Sequence, residues 1–137
     1  MAIYGVGASY DGTDDVSGRF IENNLVGVGW GADDAPELQQ YFRSLRVGDI
    51  VYIKSAAFGK PITVKAIGVV ADDAIRDTSN SRGLVTCGRN VVWIDTTRFV
   101  IPRPREKNNV RGNTVYEVFH ADVQREIIGR IGRQLRR

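Results

Sequence analysis

The stretches Asp49-Ile-Val-Tyr-Ile-Lys54 and Ile62-Thr-Val-Lys-Ala-Ile-Gly-Val-Val70, joined by a seven-residue loop, predict two consecutive β-strands. The second stretch alternates apolar and polar side chains at its start and is apolar on both faces toward its end. This change is typical of a strand that is first half-exposed and then buried on both sides. The two strands therefore predict a fold built mainly on a β-sheet.

An amphipathic helix is predicted just before these strands. Asp33 or Asp34 can cap its start, and Pro36 occupies the first turn, where a proline removes no helical hydrogen bond. Gly48 is placed where a left-handed C-terminal cap is needed. The apolar residues recur at helical spacing and are predicted to face the core: Leu38, Tyr41, Phe42 and Leu45.

Further elements are predicted on both sides of this centre. A second helix begins at about Asp122, and two polar stretches, residues 11–19 and 72–83, are predicted to be loops. The remaining strand candidates are Ile3–Ala8, Leu25–Trp30, Arg89–Asp95 and Thr114–Phe119.

The predicted order is β, β, α, β, β, β, β, α. It lacks the regular alternation of strand and helix that a doubly wound sheet requires. Many short strands with one early helix and one C-terminal helix predict an α+β, mostly β fold on a curved sheet or small barrel. We expect one binding domain over residues 1–137.

The amino-acid composition limits the classes of protein to which the chain can belong. With 42% hydrophobic and 26% charged residues, a chain of 137 residues can form one globular core. The sequence shows no signal-peptide pattern at its start and no apolar run near the roughly 18 residues of a membrane span. Cys87 is the only cysteine, which excludes a disulfide framework. We therefore expect a soluble, cytoplasmic protein without a membrane partner.

Charge is distributed unevenly along the chain. Residues 1–97 carry nine basic and twelve acidic side chains, whereas residues 98–137 carry ten basic and four acidic ones. This asymmetry indicates an anionic partner near the C-terminal third, or only a solvated basic tail at the very end. Pro102 and Pro104 keep the backbone extended, which suits phosphate contacts. The predicted phosphate-contacting residues are Arg98, Arg103, Arg105, Lys107 and Arg111.

Few residues of the chain suit catalysis. His120 is the only histidine, and Cys87 has no partner at motif spacing. Three aspartate pairs lie in predicted loops or helix starts, where turns and caps account for them. Residues 27–32 have the spacing of a dinucleotide fingerprint, but Trp30 stands where backbone must approach a pyrophosphate. No catalytic residue, metal or cofactor is predicted, and a nucleotide hydrolase or RNA nuclease is the enzymatic alternative.

Aromatic and cationic residues indicate a binding site instead. Tyr52 and Lys54 share one face of a predicted strand. Trp30 ends another strand beside glycines, and Trp93 lies in a third. Aromatic faces beside a cation are what a site needs to stack a base while it neutralises phosphate. Each tryptophan can equally be a core residue.

Residues 24–71 resemble the EVE branch of the PUA-like superfamily. The motifs are Asn24-Leu-Val-Gly-Val-Gly-Trp-Gly31, the amphipathic helix, Leu45-Arg-Val-Gly-Asp-Ile-Val-Tyr-Ile-Lys54 and Val64-Lys-Ala-Ile-Gly-Val-Val70. The resemblance implies a curved barrel with a pocket that receives a base, often a modified one flipped out of a nucleic acid. It implies that Trp30 lines this pocket, with Tyr52, Lys54 and Ser55 nearby.

Two binding functions are compatible with these residues, beside the enzymatic alternative and a pure protein-interaction module. The first is non-catalytic binding of a nucleobase, modified or not, within DNA or RNA. The second is stand-alone binding of a small free nucleotide, such as a cyclic dinucleotide or an ADP-ribose-like immune signal. Since the sequence shows no fused nuclease or motor domain, such a protein could serve phage defence or, as a viral sponge in the host cytoplasm, anti-defence. The sequence leaves self-association open.

Overall fold

A computed structural model of the chain describes residues 1–10, 14–29, 35–55, 61–78, 83–102 and 115–136. The helices are α1 (Ser17–Asn23), α2 (Pro36–Ser44) and α3 (Ala121–Leu135). In this part of the chain no helix has the length and apolar character that crossing a membrane requires. The strands are β1 (Ile3–Gly7), β2 (Ser9–Tyr10), β3 (Asp14–Asp15), β4 (Leu25–Val28), β5 (Ile50–Ser55), β6 (Ile62–Arg76), β7 (Cys87–Asp95), β8 (Phe99–Ile101) and β9 (Val115–Glu117).

Seven strands form one curved, open sheet in the order β4-β7-β6-β5-β1-β9, with β8 also paired to β6. β1 and β5 run parallel, and the other pairs of this sheet are antiparallel. The 15-residue strand β6 pairs with β5 along one edge and with β7 and β8 along the other, with register shifts at bulges. The prediction of an α+β, mostly β fold on a curved sheet is confirmed.

Apolar side chains cover both faces of the sheet. One face packs against α1 and α2, with Phe42 in its core, and we call it the α2 face. The other packs against α3 through Val123 and Ile127, and we call it the α3 face. Successive side chains of β5 point to opposite faces of the sheet, so that Val51 belongs to the α2 face and Tyr52 to the α3 face.

A buried arginine ties α2 to the sheet. Arg89 in β7 is 1% exposed, and its Nη1 donates to the carbonyl oxygens of Phe42, at 3.0 Å, and Leu45. Nη2 donates to the carbonyl oxygen of Asp72 at 2.8 Å. Because the last carbonyls of a helix have no partner within it, this guanidinium completes the C-terminal end of α2.

The predicted amphipathic helix is present as α2, but its apolar stripe is not wholly buried. Phe42 and Leu45 are buried and Leu38 is partly buried, as predicted. The prediction was wrong for Tyr41, which is 36% exposed. Its ring meets that of Tyr4 edge-on, with centroids 5.9 Å apart, and its hydroxyl accepts a hydrogen bond from the N–H of Glu117 in the edge strand β9 at 3.2 Å.

The ends of α2 also differ from the sequence prediction. Asp33 and Asp34 lie outside the described residues, and the N-cap position is taken by Ala35. The helix ends at an extended Leu45, so Gly48 is not its cap. Gly48 has a φ of 90° in the turn before β5, where its N–H donates to the carbonyl of Val70.

Regular structure occurs in both segments that were predicted as loops. α1 starts within residues 11–19, because Val16 and Phe20, four positions apart, are both buried. β6 continues through Arg76, where it pairs with Gly88 after a bulge. Its side chains at positions 71–75 are exposed. The segment therefore has the polar composition of a loop, although backbone pairing makes it part of a strand.

The remaining predicted elements are present with small changes. The other strand candidates correspond to β1, β4, β7 and β9, and α3 is the predicted C-terminal helix. In α3, Val123 and Ile127 are buried and Ile131 is partly buried. Leu135, the fourth residue of that stripe, is exposed.

Candidate nucleic-acid interface

Five strand ends meet at one end of the sheet. β1 and β5 are parallel, so the paired residues Gly7 and Lys54 both lie at carboxyl ends. β6 begins beside them at Ile62, which pairs with Ile101, the last residue of β8. β9 begins at Val115, beside the carboxyl end of β1. We call this the Lys54 end of the sheet.

Lys54 is a buried cation on the α3 face. The residue is 5% exposed, and its Nζ lies 5.0 Å from the centre of the Tyr116 ring. Burial lowers the pKa of Lys54 to about 8, because desolvation penalises the ammonium form. The side chain therefore stays mainly protonated at neutral pH, with its charge held against an aromatic face.

Tyr52 and Tyr116 form a hydroxyl pair next to this cation. Their Oη atoms lie 3.3 Å apart, and both residues are buried. Burial raises the pKa of Tyr52, and the neighbouring Tyr116 raises it further. Burial also raises the pKa of Tyr116, which outweighs the lowering effect of its hydrogen bond with Tyr52. Both phenols therefore stay neutral. One hydroxyl donates its proton to the other within the pair, so the second hydroxyl proton can be donated to a further acceptor.

Gly5 makes room for the two tyrosines. It pairs with Tyr52 on one side and with Tyr116 on the other. A Cβ atom at this position would lie 2.9 Å from the Tyr52 hydroxyl and 3.1 Å from Cζ of Tyr116. The glycine therefore lets two rings, from the strands β5 and β9 on either side of β1, converge over β1.

Two rows of paired residues cross the α3 face near the Lys54 end. The first row consists of Tyr116, Gly5, Tyr52, Ile67 and Asp95, and the second of Gly7, Lys54, Val64 and Phe99. An ammonium, two hydroxyls and a carboxylate thus share one face, with Val64 and Ile67 between them. Arg130 of α3 adds a second cation, with Cζ 4.1 Å from the centre of the Phe99 ring.

Several predicted site residues are brought to this end. Tyr52 and Lys54 share the α3 face, as the strand pattern predicted. Ser55 is the exposed last residue of β5, and alternation turns it away from Lys54. Arg98 is exposed and directly precedes Phe99 in β8. Four predicted phosphate contacts lie outside the described residues: Arg103, Arg105, Lys107 and Arg111.

The two predicted tryptophans differ in what the structure describes. Trp30 lies outside the described residues, so its predicted role stays a prediction. Trp93 packs against the core of the α2 face, the opposite face from Lys54. Its ring covers Gly68, where a Cβ would lie 2.9 Å from Cε3 of Trp93. The core interpretation fits Trp93.

Sequence patterns alone did not indicate Tyr116, Asp95 or Arg130 as neighbours of Lys54. They come from β9, β7 and α3, which only the sheet order brings together. One local signal was present in the sequence, because a glycine within a strand often marks a place that other parts of the chain approach closely, and β1 contains Gly5. The approach is made by the tyrosine side chains over Gly5.

Cys87 and His120 have structural roles. The Cys87 thiol is buried and donates to the carbonyl oxygen of Gln39 at 3.6 Å, and burial raises its pKa. Nδ1 of His120 accepts a hydrogen bond from the N–H of Asp122 at 3.2 Å and so caps α3. In the described residues no cluster of histidine, cysteine and acidic side chains could hold a metal ion.

A groove lies on the outer side of α2, away from the Lys54 end. It has a volume of about 450 Å³ and a mainly apolar lining. Its described lining residues are Pro36, Glu37, Gln40, Tyr41 and Ser44. None of these is basic, so the groove offers no match to a phosphate.

Comparisons with known proteins leave the function open. No protein-family model matches the chain, and no curated protein sequence matches it. The resemblance to EVE domains therefore stays a prediction. The function has to be argued from the residues of the Lys54 end themselves.

Proposed function

We propose that this chain binds a nucleic acid at the Lys54 end of the sheet, through phosphate contacts and an unpaired base, without catalysis. One observation supports the proposal. A buried lysine and a tyrosine hydroxyl pair lie at this end of the sheet, and so do the two described residues that flank the basic segment 103–114. Residues 103–114 connect Pro102, after β8, to Val115, at the start of β9. That segment contains four of the five predicted phosphate-contacting residues.

A phosphate suits the groups around Lys54. An anion beside a desolvated ammonium favours its charged form, so binding a phosphate would offset the burial that lowers the pKa of Lys54. The second phenol proton of the Tyr52–Tyr116 pair can be donated to a phosphate oxygen. Hydrogen bonds in which a partner is charged are about twice as strong as neutral ones.

A base suits the neighbouring part of the α3 face. Bases of single-stranded nucleic acids stack on aromatic rings or on the flat guanidinium group of arginine. Phe99 lies in the same row as Lys54, and the guanidinium of Arg130 in α3 lies over its ring. Phosphate and base contacts would therefore be made on one face, the first by β5 and the second by Arg130 above β8.

The structural roles of Cys87 and His120 support binding over catalysis. The thiol is part of the core of the α2 face, and the imidazole Nδ1 caps a helix. The basic segment favours a polymer over a free nucleotide, because several arginines can each neutralise a different phosphate along a strand. A small free nucleotide, with few charges, is the alternative.

Fluorescence anisotropy with labelled single-stranded and duplex oligonucleotides tests the proposal. We expect Lys54→Met to weaken single-strand binding about tenfold or more, since a charged hydrogen bond is removed. Arg43→Met is the matched control, because Arg43 is an exposed cation on α2, over the opposite face. Equal binding by the wild type and Lys54→Met would overturn the proposal, and binding of mononucleotides alone would favour the free-nucleotide alternative.

A further inference from the structure

Helix α3 brings its C-terminal half to the Lys54 end of the sheet. Just before the helix, the N–H of Val118 donates to the carbonyl oxygen of Ile3 at 2.8 Å, at the start of β1 and therefore at the end of the sheet opposite Lys54. More than two turns later, Cζ of Arg130 lies 4.1 Å from the centre of the Phe99 ring. Phe99 belongs to the row of paired residues that contains Lys54. The helix therefore crosses the α3 face, and it ends beside the Lys54 end.

The charges of α3 are divided between its two halves. Both acidic residues, Asp122 and Glu126, lie in the first half, where Asp122 pairs with Arg125 at 2.8 Å. The second half contains no acidic residue and three basic ones, Arg130, Arg133 and Arg136. The charge of Arg130 acts on the carboxylate of Asp95, whereas the exposed Arg133 and Arg136 form no ion pair within the described part of the chain. Exposed cations without a counter-charge attract an anionic partner.

The guanidinium groups of these two exposed arginines lie back along the helix. A Cβ added at Gly129 would lie 3.9 Å from Nη1 of Arg133, and one added at Gly132 would lie 3.7 Å from Nη1 of Arg136. Side chains of a helix lean toward its N-terminus, so each guanidinium is placed about one turn before its own backbone. Because the two arginines are three residues apart, their guanidinium groups follow each other at about 4.5 Å along the axis. They form a short row of cations.

Other cations connect this row with Lys54. Two strand spacings, about 10 Å, separate the backbones of Lys54 and Phe99. The exposed Arg98 directly precedes Phe99, and Arg130 lies over its ring. From Arg130 to Arg136 the helix advances by about 9 Å more. The path from Lys54 to the end of α3 is thus about 19 Å long, which corresponds to roughly six nucleotides of a stacked strand at about 3.4 Å each.

We infer that the C-terminal half of α3 extends the phosphate site of the Lys54 end, and that the protein binds a nucleic-acid strand of about six nucleotides along this path. The strand passes from Lys54 across Phe99, and its outer phosphates contact Arg133 and Arg136. Guanidinium groups suit this role, because they donate two parallel hydrogen bonds to one phosphate. The inference rests on the proposed function, and it adds the length of the bound strand and the direction in which it leaves Lys54.

The dependence of affinity on strand length tests the inference. Unlabelled oligothymidylates, from a dinucleotide to a dodecamer, compete with a labelled dodecamer for the wild type and for Arg133→Ala/Arg136→Ala. Wild-type affinity should rise with length up to about six nucleotides and then change little, because further phosphates meet no cation. The double variant should bind the dodecamer about tenfold more weakly or worse, since two charged contacts are lost. It should bind the dinucleotide like the wild type, since a dinucleotide occupies only the Lys54 end.

Two controls separate this role from a structural one. Arg125→Ala removes an exposed arginine of the same helix that is already paired with Asp122, and it should bind the dodecamer like the wild type. Arg133→Lys/Arg136→Lys keeps both charges and should keep most of the affinity. Because cations near a helix C-terminus also stabilise the helix, a melting curve accompanies each variant. A phosphate role also lowers the dependence of log K on log salt by roughly 1.4 in the alanine variant, which a loss of helix stability alone does not.

The outcomes separate the two proposals. Equal weakening of the dinucleotide and the dodecamer by Arg133→Ala/Arg136→Ala overturns the extended path, while the phosphate site at Lys54 stands. Unchanged binding of the dodecamer by this variant overturns the path as well. Competition by polyglutamate as strong as that of the dodecamer would mean that α3 attracts any polyanion, and it overturns the assignment of α3 to a nucleic-acid strand. Absence of binding of every oligonucleotide to the wild type overturns both the path and the proposed function.

Discussion

The hydroxyl oxygens of Tyr52 and Tyr116 lie 3.3 Å apart on the α3 face, in a space that exists because residue 5 is a glycine. The two tyrosines come from β5 and β9, which are not neighbours, and they meet across β1. Lys54 lies against one of the rings. The site therefore depends on a small residue that itself has no chemical function.

Gly5→Ala should destabilise the protein by about 1–3 kcal/mol, the usual cost of overpacking a core. The added methyl group would lie 2.9 Å from the Tyr52 hydroxyl, so one ring must move. Urea unfolding measures the free energy of unfolding. Gly18→Ala is the control, because a Cβ there meets nothing within 4 Å and alanine favours helix α1. Equal stability of Gly5→Ala and wild type would contradict the packing described here.

Arg89→Met should lower the free energy of unfolding by about 3 kcal/mol or more. Three carbonyl groups, two at the end of α2 and one in β6, would lose the guanidinium as a donor, at roughly 1 kcal/mol or more each, and that of Phe42 would keep only the N–H of Leu45 at 3.4 Å. Chemical denaturation checks the decrease. Arg43→Met, on the exposed side of the same helix, should change stability by less than about 0.5 kcal/mol. A similar effect of both substitutions would mean that Arg89 does not hold α2.

Acid should weaken the link between β3 and β6. Burial would raise the pKa of Asp15, but hydrogen bonds from Lys65 and Ser17 hold it well below the ordinary value of 3.8. Since the folded pKa is depressed, the unfolded chain takes up the proton first, and the stabilisation is lost as pH falls through 3.8 and below. Unfolding curves at several pH values should show wild type and Asp15→Asn converging in acid. A constant difference between them would refute this linkage.

Arg103 and Arg105 should contribute to affinity without reading sequence. Removal of one phosphate-binding side chain reduces the dependence of log K on log salt by about 0.7–0.9, so replacing both with alanine should lower the slope by roughly 1.4–1.8. Anisotropy titrations over a salt series measure this slope. Arg125→Ala on α3 removes an exposed arginine already paired with Asp122 and serves as the control. A weakening confined to one oligonucleotide sequence would mean that these residues contact bases.

The sequence predicted what local patterns determine. The apolar runs predicted β5 and the buried half of β6, and the face shared by Tyr52 and Lys54 followed from strand alternation. Residues 71–76 were missed because their strand is held by backbone pairing while most of its side chains face water. Asp95 and Tyr116 were missed as site residues because their proximity to Lys54 depends on strand order and register, which periodicity does not encode.

A direct test of phosphate binding at Lys54 is to measure the pKa of this residue with and without a bound oligonucleotide. The 13Cε resonance of Lys54, assigned by its disappearance in Lys54→Met, reports the protonation of Nζ over a pH titration. We expect a pKa near 8 in the free protein and a clear rise when a single-stranded oligonucleotide is bound, because a phosphate favours the ammonium form. An oligonucleotide that binds at saturation and leaves the pKa of Lys54 unchanged would show that no phosphate is bound at Lys54.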